Sequence, residues 1–453
     1  MTRRASYQYD FSKVTAAKRI LTGYWVDGQR ISDAFGTYLD PIHADLLDIV
    51  LAVYTADRKS LRTYDGSGTG QRHIQVRIGV RQPTLWERPE VKQKLSDLLF
   101  WVSEDAWALD LTSHASVTVL SDASRYLFSS APERSATVSL FSGGLDSLAG
   151  LAWEIAKDPA RTFFLVSGST NERLEHQQIV QVQEMRKICW EIKGRPQPEL
   201  RHVRVPFGIN KLGWEREEAT QRTRALVYLT LGAAVASQAS VDTLWVYENG
   251  VGALNLPLNE SQLGVDNYRG VHPVTLVLFE ELLELVAKRP IGIREPFLFR
   301  TKAQVCAALA DARLVNVIKE TVSCDGFPQR VSGQPQCGVC TSCILRRQSL
   351  LAAGLGSYDF VHGYRVDALT PLAGLSRLQR HGLQVSFEQV ATLARCLCRP
   401  DAWKALVVQF PELAQVQSLV SKRWQLDPLD VARQVVDMYR TYVKEWESVG
   451  VAA

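Results

Sequence analysis

No stretch of this chain stays apolar long enough to cross a membrane, and no apolar run follows the two arginines of its opening MTRRASYQYDFSKV, so neither a membrane span nor the apolar core of a secretory signal is expected. Charge of one sign is also scarce. Lys plus Arg number 52 against 48 Asp plus Glu, and the formal charge of +4 is small for 453 residues. It gives no strongly basic footprint for nucleic acid, though a local basic patch is compatible with it. Internal repeats and low-complexity segments are absent. The expectation is a cytoplasmic protein with reduced thiols, where clustered cysteines bind metal more often than they pair.

What is present is enough for a full core: 46% of the residues are hydrophobic and 22% charged, over a length that implies two or three domains. Residues 1–130 read as an N-terminal α+β accessory domain. In it HIQVRIGVR alternates as a half-buried strand, and PEVKQKLSDLLFWVSEDAW places Val91, Leu95, Leu98, Leu99 and Val102 on one helical face. LLFW there is expected to be core rather than interface. Gly66-Ser67-Gly68-Thr69-Gly70 is not followed by a helix and is read as a strand connection without chemistry.

After the polar SSAPERSA, residues 131–355 alternate strands (Thr137 to Phe141, RTFFLVSGS, VDTLWVYENG) with helices (LAGLAWEIA, RALVYLTLGAAVAS). That order implies an α/β fold with a parallel sheet, whose ligands bind at the carboxyl ends of the strands. Residues 356–453 form a helical C-terminal region, with LSRLQRHGL, FEQVATLARCLC, AWKALVVQF and DVARQVVDMYRTYVKEW separated by Pro and Gly.

Between the first of these strands and its helix lies Ser142-Gly143-Gly144-Leu145-Asp146-Ser147. Two glycines let backbone N–H groups approach phosphate oxygens closely. Ser142 and Ser147 add hydroxyl donors, the helix presents its positive end, and Asp146 can hold the magnesium that neutralises pyrophosphate. A Gly-Gly turn with capping Asp and Ser is the plain alternative. The spacing is not Gly-x4-Gly-Lys-Ser/Thr, so motor and switch NTPases are not indicated.

Cys337, Cys340 and Cys343 stand at Cys-x2-Cys-x2-Cys spacing, with Cys324 thirteen residues before the first. Four thiolates suit a closed tetrahedral zinc site; an iron–sulfur cluster on three of them is the alternative. Cys189, Cys306, Cys396 and Cys398 share no such pattern and read as small buried hydrophobes.

SLFSGGLDSLAG resembles the signature of the PP-loop ATP pyrophosphatases (adenine nucleotide alpha hydrolase-like, HUP fold). Together with PFLFRTKAQV, ETVSC and CGVCTSCILRRQSLLAAG, it makes residues 136 to 352 similar to the 7-cyano-7-deazaguanine synthase (QueC) family. The resemblance implies a PP-loop domain with a zinc-binding subdomain, to which an N-terminal α+β domain and a helical tail are added. It carries zinc onto Cys324, Cys337, Cys340 and Cys343. The nucleotide falls to Ser142, Gly143, Gly144, Leu145, Asp146, Ser147 and Arg224, and catalysis to Asp146, Ser147 and Lys302. A solvated cation or helix-end charge is the plain reading of Lys302 and Arg224. ATP is the implied substrate, with Mg2+ and Zn2+ as cofactors.

The implied reaction adenylates the carboxylate of a 7-carboxy-7-deazaguanine-like base, releasing pyrophosphate and then AMP. The sequence departs from the family where a base-gripping segment is expected and YENGVGALNLPLNES stands instead; the family's Arg-Asn pair reads Arg224-Ala225. Glu248 and Asn249 there either bind a purine-like edge or cap the turn. Long forms of this build resemble QueC-like proteins of bacterial antiviral defence operons (Qat, type IV CBASS). In those the resemblance implies transfer to an amine, either ammonia or the amino terminus of a partner protein. A nitrile-forming biosynthetic enzyme and a non-catalytic binding subunit are the alternatives. A sulfur-transferring tRNA enzyme would need a cysteine pair beside the loop, where Cys189 stands alone.

Overall fold

The computed structural model describes residues 5–12, 23–62, 70–113, 136–191, 197–210, 216–258, 268–327, 334–359, 363–369 and 375–449. The Gly66–Thr69 connection and nearly all of SSAPERSA lie outside them. The first elements are β1 (Ala5–Asp10), β2 (Tyr24–Val26), α1 (Gln29–Phe35), α2 (Pro41–Lys59), β3 (Arg72–Val80), α3 (Pro83–Trp86), α4 (Pro89–Ser103) and β4 (Ala106–Ser113). β1, β3 and β4 form a parallel three-stranded sheet with β3 in the middle. The alternation of Ile74, Val76, Ile78 and Val80 turns those four side chains into the core. The predicted face of α4 is buried at all five positions, each worth roughly 1.5–3 kcal/mol over exposure. LLFW divides instead of packing whole: Leu98 and Leu99 are buried, Phe100 is 55% exposed, and half-buried Trp101 donates Nε1–H to Thr275 Oγ1 at 3.0 Å.

α2 is buried from Ile42 to Asp57, all the way round, because it lies between β3 and a helix of the next region. Its acids are paired where they are buried. Asp57 and Asp105 hold the fully buried Arg72, and Asp45 and Asp48 hold Arg81.

The second run comprises β5 (Ala136–Leu140), α5 (Leu145–Lys157), β6 (Thr162–Ser169), α6 (Glu172–Glu191), β7 (Glu199–Ile209), α7 (Arg224–Gln238), β8 (Thr243–Trp245), α8 (Gly250–Leu254), α9 (Pro273–Val286), β9 (Gly292–Arg294) and α10 (Lys302–Asp311). The sheet runs β2-β7-β6-β5-β8-β9, parallel except for β2, which pairs antiparallel with β7. The chain therefore steps outward from β5 through β6 to β7, then restarts on the other side of β5. This reversal is the topological switch point at which α/β sheets bind ligands. One hydrophobic core, formed largely by α2, α4, α7 and α9, lies on one face; a second, formed by α5, α6 and α10, lies on the other. The first core runs unbroken from Ile31 and Leu51 through Val138 to Leu231, so the packing is continuous across residue 130.

The cysteine segment leads into α11 (Thr341–Ala352), and the C-terminal region is helical: α12 (Arg377–Leu397), α13 (Ala402–Gln409), α14 (Glu412–Trp424) and α15 (Pro428–Ser448). LSRLQRHGL and FEQVATLARCLC, read as separate patterns, belong to the single helix α12, which Ser376 opens with a capping box to Gln379. Among the described residues no helix is long and apolar enough to cross a membrane.

Candidate active site and metal centre

The glycine loop leaves the carboxyl end of β5 and enters α5 at the switch point. Gly143 adopts φ +82, a conformation that penalises any side chain, and a Cβ there would lie 3.2 Å from Gln178 Cγ and 3.3 Å from Gln181 Oε1. Gly144 is the helix N-cap. Its N–H donates to Ser142 Oγ at 3.2 Å, and Ser147 Oγ donates to Gly144 O at 3.0 Å. The two serine hydroxyls stand 3.2 Å apart. Behind the loop, Gln178 Nε2 donates to Ser142 O at 3.2 Å and Gln181 Nε2 to Gly143 O at 2.7 Å.

Asp146 and Lys302 meet. Both are buried, and Lys302 Nζ donates to Asp146 Oδ2. Burial alone would lower the Lys302 ammonium, but Asp146 and Glu248 hold it above its ordinary value. Lys302 is therefore not a solvated cation. Thr301 caps its helix with a capping box to Gln304, and the Thr301 hydroxyl donates to Glu445 of α15 at 2.5 Å.

Of the two roles expected of it, Asn249 performs the capping one, and its amide also ties Glu248 to Asp146. Its Oδ1 caps α8 by accepting from Gly252 N at 3.0 Å, while Nδ2 donates to Glu248 Oε1 at 2.7 Å and to Asp146 Oδ1 at 3.1 Å. Desolvation, then the neighbouring Asp146 carboxylate, pushes the Glu248 carboxyl up to about 8. Glu295, just past β9, is 5% exposed, and neither of its carboxylate oxygens has a partner among the described residues. Burial and then Glu248 push it well above the usual carboxylate range.

Arg224 opens α7, as expected from the sequence, but its partners among the described residues are not loop residues. It donates to Gln221 Oε1 at 2.6 Å, hydrogen-bonds Tyr268 and lies over the Tyr228 ring at 5.9 Å. Tyr268 also feels the Glu248 charge and so links the two groups.

The four cysteines converge, with all Sγ atoms within 4.8 Å of one another. Backbone N–H groups point at the sulfurs: Cys337 N at Cys324 Sγ (3.5 Å), Cys340 N at Cys337 Sγ (3.3 Å) and Cys343 N at Cys340 Sγ (3.4 Å). Gly338, at φ +79, permits the turn, since a Cβ would meet Val366 O at 1.6 Å. The thiols of Cys340 and Cys343 hold Cys324 well below the usual thiol range. Four sulfurs with N–H support fit zinc, which takes such a set as thiolates. Cys189 and Cys306 are buried as expected; Cys396 is only half-buried, at the edge of the C-terminal core, and Cys398, the C-cap of α12, is exposed.

The sequence reading missed Gln178, Gln181, Glu295, Glu445 and Arg346. The glutamines had a signal: Gln178, Gln181, Val182, Met185 and Cys189 form the buried stripe of α6, where polar residues need a reason to be.

A parallel α/β sheet with a glycine loop at its switch point, a buried Asp–Lys pair on that loop and a four-cysteine centre define a mixed α/β protein of nucleotide-site architecture with a zinc-type module. Residues 223–354 match the protein-family model described as queuosine biosynthesis protein QueC. The chain is QueC-like over that segment, which takes in Arg224, Lys302 and all four cysteines but begins after the glycine loop. It covers less than a third of the sequence. The family indicates an ATP-utilising PP-loop enzyme in general and suggests deazaguanine-related synthesis. No curated protein matches the chain.

Proposed function

We propose that this chain adenylates the carboxylate of a 7-carboxy-7-deazaguanine-like base and passes the acyl group to an amine. A carboxylate oxygen bonds to the α phosphorus of ATP as the α–β bridging bond breaks and pyrophosphate leaves. The amine nitrogen then bonds to the acyl carbon, AMP departs with the electron pair of the C–O bond, and the amine loses a proton. The observation that carries this reading is the Asp146–Lys302 pair on a Ser-Gly-Gly loop at the sheet's switch point, in a chain with a QueC-like segment.

In this reading the backbone N–H groups of Gly143, Gly144 and Leu145 and the hydroxyls of Ser142 and Ser147 hold the phosphates. Lys302 neutralises charge developing on the leaving pyrophosphate. Arg224, among tyrosines, binds the base or adenylate. The hard oxygen donors of Asp146 and Glu248, with the orphaned Glu295 beside Glu248, fit magnesium. Asp146 would hold that ion, which supplies charge neutralisation on pyrophosphate. Most of the acceleration comes from proximity and fixed charge.

The altered segment at Glu248–Asn249 and the two added regions favour a protein amino terminus as acceptor, in cytoplasmic antiviral defence, over ammonia. The test is incubation with ATP, magnesium and the base, with ammonia or proteins encoded beside this one, following AMP and product mass. An amide or a mass-tagged protein, lost in Asp146→Ala, is expected. A free nitrile as sole product would make the chain a biosynthetic enzyme, and bound ATP with no AMP under any condition would overturn the catalytic reading.

A further inference from the structure

One buried side chain ties the glycine loop to the stem that leads into the cysteine centre. Gln181 is 0% exposed, and its Nε2 donates to Gly143 O at 2.7 Å and to Glu320 O at 2.8 Å. Both acceptors are carbonyls, so only the NH2 end of the amide satisfies them; Oε1 is buried and has no partner among the described residues. On the same helix Gln177 reaches Glu320 O, and Gln178 reaches Ser142 O at 3.2 Å.

Glu320 ends a 3-10 turn (Val315–Glu320), four residues before Cys324. The intervening stem is pinned from the other arm of the cysteine centre. Arg346, 0% exposed on α11, donates Nη1–H to Thr321 Oγ1 at 2.5 Å and Nη2–H to Ile318 O at 2.9 Å. Its helix is capped by Cys340, which accepts from Cys343 N. The path from the metal ligands to Gly143 thus runs through the stem, the Glu320 carbonyl and one carboxamide.

We propose that Gln181 is a positioning residue that couples metal occupancy of the cysteine centre to the conformation of the glycine loop, and so to its affinity for nucleotide phosphate. The nucleotide part rests on the proposed function; the coupling does not. With metal bound, the stem is fixed and Glu320 O holds one N–H of Gln181. The other N–H holds the Gly143 carbonyl in its positive-φ conformation. Without metal the stem loosens and the loop loses its backing.

The experiment uses the full-length, metal-loaded protein with two readouts: hydrogen exchange of the segment 142–147, and ATP binding. Gln181→Leu is expected to keep its metal, to raise loop exchange about tenfold and to weaken ATP about tenfold. Gln181→Glu, which keeps the shape but faces two carbonyls with a carboxylate, should do at least as much. Gln177→Leu, which touches the stem and not the loop, should stay within about twofold of wild type on both readouts. Chelation should raise loop exchange in the wild type by about the same tenfold and add less than about twofold in Gln181→Leu.

Unchanged loop exchange in Gln181→Leu would overturn the proposal. So would a chelation effect of equal size in both proteins, or exchange rising equally in β1, β3 and β4, which would mean global unfolding. A wild type that binds no ATP would sink the proposed function while leaving the exchange result to decide the coupling.

Discussion

Lys302, the first residue of its helix, places its ammonium on the carboxylate of Asp146, the second residue of a helix 156 positions earlier. A cation at a helix N-terminus faces the positive end of the dipole, and Asp146 at its own N-terminus is favoured by it. The arrangement therefore holds because the two are paired.

Removing the cation should show this twice. Lys302→Met is expected to cost about 3 kcal/mol in urea unfolding, as for a buried pair broken on one side, and to cut AMP formation by at least about a hundredfold, or roughly 2.7 kcal/mol. Lys302→Arg should not rescue the rate, since a planar fork does not replace a compact ammonium in a buried seat. Lost stability with an unchanged rate would reduce Lys302 to a structural role.

Stability should fall as pH rises from about 6.5 to about 8; below that window the buried His202 and His272, whose imidazoles burial depresses to about 3, act in the opposite direction. Glu248 has a folded value near 8 against an ordinary 4.5, so over that window the folded state binds more protons than the unfolded one. The raised Glu295 carboxyl acts in the same direction. Glu248→Gln should flatten the slope, read from urea midpoints at several pH values. A wild-type slope retained in full would show that Glu248 is not the titrating group.

The cysteine centre should yield one zinc per chain by elemental analysis. Cys337→Ser should lower that content and the melting temperature together, because metal-binding energy is folding energy in such a module. An equimolar iron content with visible absorbance would replace zinc by a cluster.

Gly143→Ala tests the loop without touching any charge. A left-handed residue with a side chain costs about 1–2 kcal/mol, and Gln178 and Gln181 must give way by a few tenths of an ångström. About tenfold weaker ATP binding is expected by titration. Affinity equal to wild type would mean that this loop does not hold the phosphates.

The strand alternation of β3, the stripe of α4, the glycine loop and the cysteine spacing were legible because each is a local pattern. What was not legible depended on distance. β2 is three residues long and takes its identity from pairing with β7. Glu295 has no motif around it and gains meaning only because β8 and β9 end side by side. Arg224 was placed correctly on its helix, but which way its side chain turned was decided by tyrosines at positions 228 and 268. Phe100 was misread because a helical stripe fixes Leu98 and Leu99 and leaves their neighbour outside.

The pairing of Tyr24–Val26 with Phe207–Ile209 has a practical consequence. β2 pairs with the last three residues of β7 and caps that end of the five parallel strands, so a shortened protein starting near residue 131 would lengthen the open edge of β7 as a template. Such a fragment would be expected to self-associate through that edge. The added region is thus the selvedge of the central sheet as well as a neighbour to it, and trimming the chain to its family-like portion would make it fray.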